Sequence, residues 1–116
     1  MILWGASINV FCSTKPVDMR KSFDSLAGLT RDFMGHNPSS GNLFVFFNKK
    51  RDKVKVLYWS KTGYCLFYKR LERGRFHIPT PVQDDETTVE LDQVELDMIL
   101  DGIETDKVER GKVVFA

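Results

Sequence analysis

Three apolar runs, Leu43 to Phe47, Val54 to Trp59 and Tyr64 to Leu71, follow one another with only short polar breaks between them. All are rich in β-branched and aromatic side chains, which fit a pleated surface. The breaks are Asn48 to Asp52 (NKKRD) and Ser60 to Gly63 (SKTG), and Gly63 is expected to supply the positive φ of a tight hairpin. Connections this short force antiparallel pairing, so the stretch predicts a three-stranded meander. Within its middle strand Val54, Val56 and Tyr58 share one face, and Lys53, Lys55, Leu57 and Trp59 share the other.

Upstream, Ile8, Val10 and Cys12 alternate with Ser7, Asn9 and Phe11, which predicts a further strand within Ile2 to Lys15, stopped by Pro16. From Val17 to Met34 the period becomes helical, with Met19, Phe23, Leu26, Leu29 or Thr30, and Phe33 on one stripe. Asp18 is the expected N-cap and Gly35 the left-handed terminator. This stripe is expected to pack on the Val54/Val56/Tyr58 face. Phe76 to Ile78 reads as a last short strand before Pro79 and Pro81, and Gln83 to Thr88 as a loop. Glu90 to Ile103 resumes a helical stripe through Leu91, Val94 and Met98, with Asp92, Glu95 and Asp97 outside. The tail after Thr105 shows no period and reads either as an added strand through Val113 to Phe115 or as a mobile end.

The predicted fold is therefore α+β: a twisted, mainly antiparallel sheet of four to five strands, one packed N-terminal helix and an acidic C-terminal helix. The 116 residues suit one domain, with a core of about residues 7–103. No apolar run approaches the ~20 residues of a membrane span, and the opening lacks the basic flank of a secretory signal. Cys12 and Cys65 show no zinc or disulfide spacing, and a reducing cytoplasm is the expected compartment.

Charge changes the picture. Between Asn48 and Arg75 ten cations face two acids, a local charge of +8. From Phe76 onward eleven acids face three cations, a local charge of −8. A near-neutral total of +1 hides a dipolar chain. Lysines and arginines on a sheet face neutralise phosphates, and Trp59, Tyr64 or Tyr68 offer rings on which an exposed base can stack. The rival reading is a solvated face whose cations pair internally with Glu72 and the acidic half. The acidic segment itself suggests a screen lying over the basic face until DNA or a partner displaces it.

No catalytic or metal site is assigned. Asp18 is more economically a cap than half of a carboxylate pair with Asp24, and Asp84, Asp85 and Glu86 lack a glycine-shaped cation loop. His36 and His77 have no paired nucleophile, and there is no phosphate-cradling glycine loop.

Three segments, DMRKSFDSLAGL from Asp18, NLFVFFNKKRDKVKVLYW from Asn42 and GYCLFYKRLERGRFHIP from Gly63, closely resemble the TnpB-type, second-reading-frame accessory protein of insertion sequence family sixty-six. The likeness runs from about Asn9 to Ile103. It takes in Asp18, Met19, Arg20, Lys21, Phe23 and Asp24, and then Lys55, Trp59, Gly63, Phe67 and the run Lys69 to Gly74 with Phe76. The opening MILWGAS and the acidic DDETTVE depart from the pattern. The resemblance implies a role in DNA transposition beside a separate, larger transposase that carries the catalytic residues, and it implies no particular biochemical activity. The residues themselves lead us to expect a non-enzymatic protein with no cofactor. The residues expected to meet DNA are Lys49, Lys50, Arg51, Lys53, Lys55, Trp59, Lys69, Arg70, Arg73 and Arg75. Arg20 and Lys21 are expected to meet a partner protein, the element's transposase. The alternative is an adaptor that binds the transposase without touching DNA. A homo-oligomer is one further candidate partner, and the sequence leaves open whether a second copy caps an exposed sheet edge.

Overall fold

The fold is built around one strand that is apolar throughout. The structure, a computed structural model, describes residues 7–102. All five residues of β2 (Leu43–Phe47) are buried, as expected of a central strand covered on both faces. β3 (Lys53–Ser60) and β4 (Gly63–Arg70) pair antiparallel to it in turn, in the order the breaks require. On the other side of β2 lies β1 (Val10–Ser13), followed by β5 (Thr88–Leu91), giving the order β4-β3-β2-β1-β5.

One expectation, the mainly antiparallel sheet, is refined here and two strand placements are corrected. β1 joins the sheet parallel to β2, so the sheet is mixed, with the other three pairings antiparallel. The physical reason is the helix between them: a crossover returns the chain to the same end of the sheet, which no hairpin does. β5 falls where the sequence predicts the start of the C-terminal helix, and Phe76 to Ile78 forms no strand. Phe76 instead plugs the core, with its ring 5.7 Å from that of Phe47.

α1 spans Phe23–Asp32 rather than starting at Val17. Its N-cap is Ser22, whose backbone N–H donates to Ser25 Oγ at 3.0 Å. Asp18 caps a tight turn instead, accepting from Arg20 N–H at 2.8 Å. At the other end Gly35 takes φ +73° and His36 N–H reaches back to Thr30 O, the expected left-handed stop. The buried stripe is Leu26, Ala27 and Thr30, whereas Phe23 is exposed. α2 spans Gln93–Leu100, capped by Asp92, which accepts from Glu95 N–H at 2.7 Å. It buries Leu96, Met98, Ile99 and Leu100 and leaves Val94 exposed, so it is chiefly a core helix that carries Glu95 and Asp97 on its outside.

The two helices take opposite faces of the sheet. α1 packs with Phe44, Phe46 and Leu57, the face expected to be wet, while α2 covers the Val45, Val54 and Val56 face with Phe76. The expected helix stripe therefore packs on the other side of the sheet. Cys12 lies in the α2-side core, and burial pushes its thiol up to about 12. His36 is stacked on Phe11 at 4.0 Å. The apolar patch at Ile2, the end of the predicted helix at Ile103, the tail and the strand at Val113 to Phe115 lie outside the described residues.

Candidate nucleic-acid interface

Covering both faces of the sheet leaves its ends as the places where charge can collect. β2 and β3 are joined by a loop whose geometry is set by Asn48. Its Oδ1 accepts from Asp52 N–H and Lys53 N–H at 3.1 and 3.0 Å, and its amide donates to Asp52 Oδ1 at 2.6 Å. Arg51 N–H closes the turn on Asn48 O, and Arg51 itself takes φ 60°, a left-handed position that glycine fills more cheaply. Lys49, Lys50 and Arg51 are held outward and exposed.

The chain leaving β4 is tied to this loop by backbone hydrogen bonds, Leu71 N–H to Asp52 O at 2.8 Å and Phe76 N–H to Arg51 O at 2.6 Å. They anchor both ends of the segment carrying Arg73 and Arg75 beside Lys49 to Arg51. Arg70 lies opposite Lys53 in the strand register. The result is a cationic end of the sheet on which Lys49, Lys50, Arg51, Arg70, Arg73 and Arg75 are all exposed. Lys53, half-buried, leans on Asp52 at 3.5 Å, and Arg70 meets Glu72 at 3.0 Å. The exposed Arg70–Glu72 pair contributes at most about 1 kcal/mol, little to hold it against a phosphate.

A strap, residues 17–21, borders the same end. Val17 N–H bonds to Phe47 O at 2.8 Å, which holds the start of the strap, Val17 to Met19, across a cleft from the loop, with Arg20 and Lys21 following it and exposed. The cleft, about 490 Å³, is lined by Val17, Asp18, Met19, Lys49, Lys50 and Lys53 among others. Arg20 grips Asp18 through Nε and Nη2, and this hydrogen bonding holds the Asp18 carboxyl down at about 2. A second hollow of about 260 Å³ lies between the loop and the wall formed by Ile78, Pro79, Thr80 and Pro81.

Three of the residues expected at the DNA surface stand elsewhere. Lys55 is buried beneath the strap, its Nζ donating to Met19 O and Lys21 O at 2.7 Å each and facing the Tyr68 ring at 4.7 Å. Burial lowers its pKa, and the charge of Asp18 works the other way. Lys69 points to the α2 side and caps that helix by donating to Leu100 O, a favourable place for a cation. Trp59 sits six residues from Lys53 along β3, about 20 Å at the usual strand rise. Its ring meets Tyr64 edge-on at 5.0 Å. The expected basic sheet face is thus replaced by a basic sheet end. Tyr68, 50 % exposed, offers a ring two positions from Arg70 along β4.

Sequence reasoning missed two contributors to this end. Asn48 reads only as loop polarity in a one-dimensional pattern. Lys15, exposed after β1, lies at this end because β1 runs parallel to β2. Among the described residues no three His, Cys, Asp or Glu side chains converge on a metal position, and no helix is long and apolar enough to cross a membrane.

Comparison with known proteins bears out the family resemblance of the sequence. Residues 8–110 match the family described as IS66 Orf2 like protein. The uncharacterized protein y4hO of Sinorhizobium fredii is 36 % identical over 104 residues, covering 90 % of this chain and 88 % of that one. A second protein of the same organism, the uncharacterized y4jC, is 30 % identical over 106 residues, covering 91 % and 88 %. No solved structure matches the chain. With the family match spanning nearly all of the described fold, the chain belongs to the IS66 Orf2-like family of insertion-sequence accessory proteins.

Proposed function

We propose that this accessory protein acts without catalysis, in the cytoplasm, by binding DNA through the cationic end of its sheet, beside the transposase of the same element. The observation that carries this reading is the convergence of exposed cations from two chain segments, Lys49 to Arg51 and Arg70 to Arg75, fixed together by the Leu71 and Phe76 backbone hydrogen bonds. Such a cluster neutralises several phosphates at once, and the counterions released make binding steeply salt-dependent. Arg20 and Lys21 on the strap are proposed to face the transposase.

A second reading is favoured by the cleft. Its mixed lining of Val17 and Met19 with Lys49 and Lys50 also suits an acidic segment with an apolar anchor, as an adaptor for the transposase would require. Fluorescence anisotropy of labelled element-end DNA, titrated at several salt concentrations, separates the two. Contact with about six phosphates predicts roughly a thousandfold loss of affinity between 50 and 200 mM salt. Lys50→Glu with Arg73→Glu flattens that slope, while Lys61→Glu at the opposite end leaves it unchanged. Absence of DNA binding by the folded protein at low salt, together with saturable binding to the transposase, would establish the adaptor instead.

A further inference from the structure

Among the described residues β4 is an edge strand, and its own sequence lacks the features that normally blunt an edge. It is eight residues long, contains no proline, and runs in unbroken register against β3 from Lys53↔Arg70 to Ser60↔Gly63, with no bulge. Its only charges are at one end, Lys69 and Arg70, and Lys69 is turned onto α2. The opposite edge, β5, is half as long and carries Glu90 exposed. A long, regularly paired, largely neutral edge is a template for another strand.

The register of that second strand can be derived. The Leu71 N–H bond to Asp52 O makes this pair hydrogen-bonded. Alternation along an antiparallel ladder then turns the backbone groups of residues 69, 67, 65 and 63 toward β3. Those of Tyr64, Leu66, Tyr68 and Arg70 face outward. A strand that uses all four outward positions, and is itself β4, meets them around a two-fold axis at Phe67.

We propose that β4 pairs antiparallel with β4 of a second copy about this axis, joining two five-stranded sheets into one. Leu66 then lies opposite the second copy's Tyr68, and Arg70 opposite its Tyr64. Phe67 faces its own counterpart in a closely spaced pair, a favourable aromatic match. No cation opposes another, because Lys69 meets Cys65. The edge is thereby self-complementary, which argues for a second copy over an acidic strand. The two cationic ends come to lie roughly 33 Å apart along the strand direction, about ten residues at 3.3 Å, close to one turn of B-DNA. This spacing matters only if the DNA-binding reading holds; the pairing does not depend on it.

Sedimentation of the full chain over a range of concentrations, combined with amide hydrogen exchange, tests the pairing. The expected result is a twofold rise in mass, with exchange at Tyr64, Leu66, Tyr68 and Arg70 slowing at least tenfold as the dimer forms. Tyr68→Pro removes an outward N–H and no β3 hydrogen bond, so it should weaken association at least tenfold while keeping the wild-type circular dichroism. A monomer at all concentrations would overturn the proposal, whether those amides exchange freely or are covered by the chain's own remainder. So would a dimer in which they stay unprotected, or one indifferent to Tyr68→Pro. Should that variant fail to fold, the wild-type exchange pattern decides alone. DNA titration at concentrations where the protein is monomeric keeps failure of this pairing separate from failure of DNA binding.

Discussion

The two hairpins of the meander are built on the same strand, yet the protein treats them differently. The β3–β4 connection is a minimal two-residue turn, Lys61 and Thr62, carrying one cation. The β2–β3 connection is longer, carries three exposed cations, is braced by the Asn48 side chain and is bonded to the chain on both sides of Arg73. Both hold a non-glycine residue at positive φ, Arg51 at 60° and Lys61 at 53°. The β3–β4 turn thus has its left-handed residue at Lys61, where the sequence predicts it at Gly63, and Gly63 instead begins β4, paired with Ser60. A positive φ alone therefore does not set the two turns apart. What distinguishes the β2–β3 end is that its strain is accompanied by side-chain bracing and converging charge.

The comparison can be broken most sharply at the brace. Asn48→Ala removes three hydrogen bonds from a half-buried loop and should cost about 2 kcal/mol in urea denaturation, whereas Thr62→Ala should change stability by less than about 0.5 kcal/mol. Equal effects would mean that the bracing is incidental.

A smaller effect separates strain from function. Arg51→Gly and Lys61→Gly each relieve a left-handed position and should each stabilise the fold by up to about 1 kcal/mol, less the entropy that glycine adds to the unfolded chain. Only Arg51→Gly should weaken DNA binding. A loss of binding by both would show that backbone rigidity, rather than charge, is what matters.

The smallest effect concerns acid. The Asn48 amide donates to Asp52, and this hydrogen bond, with help from Lys53, lowers the Asp52 pKa below its ordinary value of 3.8. Because the shift is downward, its contribution is full above that ordinary value and is lost as pH falls through the lower folded-state pKa. Amide shifts of Arg51 and Asp52 should therefore titrate below pH 3.8, with Asn48→Ala moving the midpoint back up. A midpoint unchanged by Asn48→Ala would show that the amide does not hold the carboxylate.

Much of the fold is legible in the chain. The three meander strands fall within one residue of the predicted runs, because each pairs with its sequence neighbour and apolar alternation suffices to register them. Gly35 as a helix stop is legible for the same local reason. The cationic end is half legible: Lys49, Lys50 and Arg51 are exposed in a loop that the sequence also reads as polar and wet. Lys55 is where that reading fails, since alternation placed it on an open face and gave no sign of the strap that covers it.

By itself, then, the sequence determined the meander, the family and the separation of charge into two halves, all of them properties of neighbouring residues. Tertiary structure alone decided the parallel entry of β1, the burial of Lys55, the capping role of Lys69 and the gathering of cations at one end of the sheet. Each of these depends on segments tens of residues apart meeting at hydrogen-bonding distance. Helix α1 and the crossing from β4 to β5 set those meetings, and hydrophobic periodicity along the chain carries no record of them.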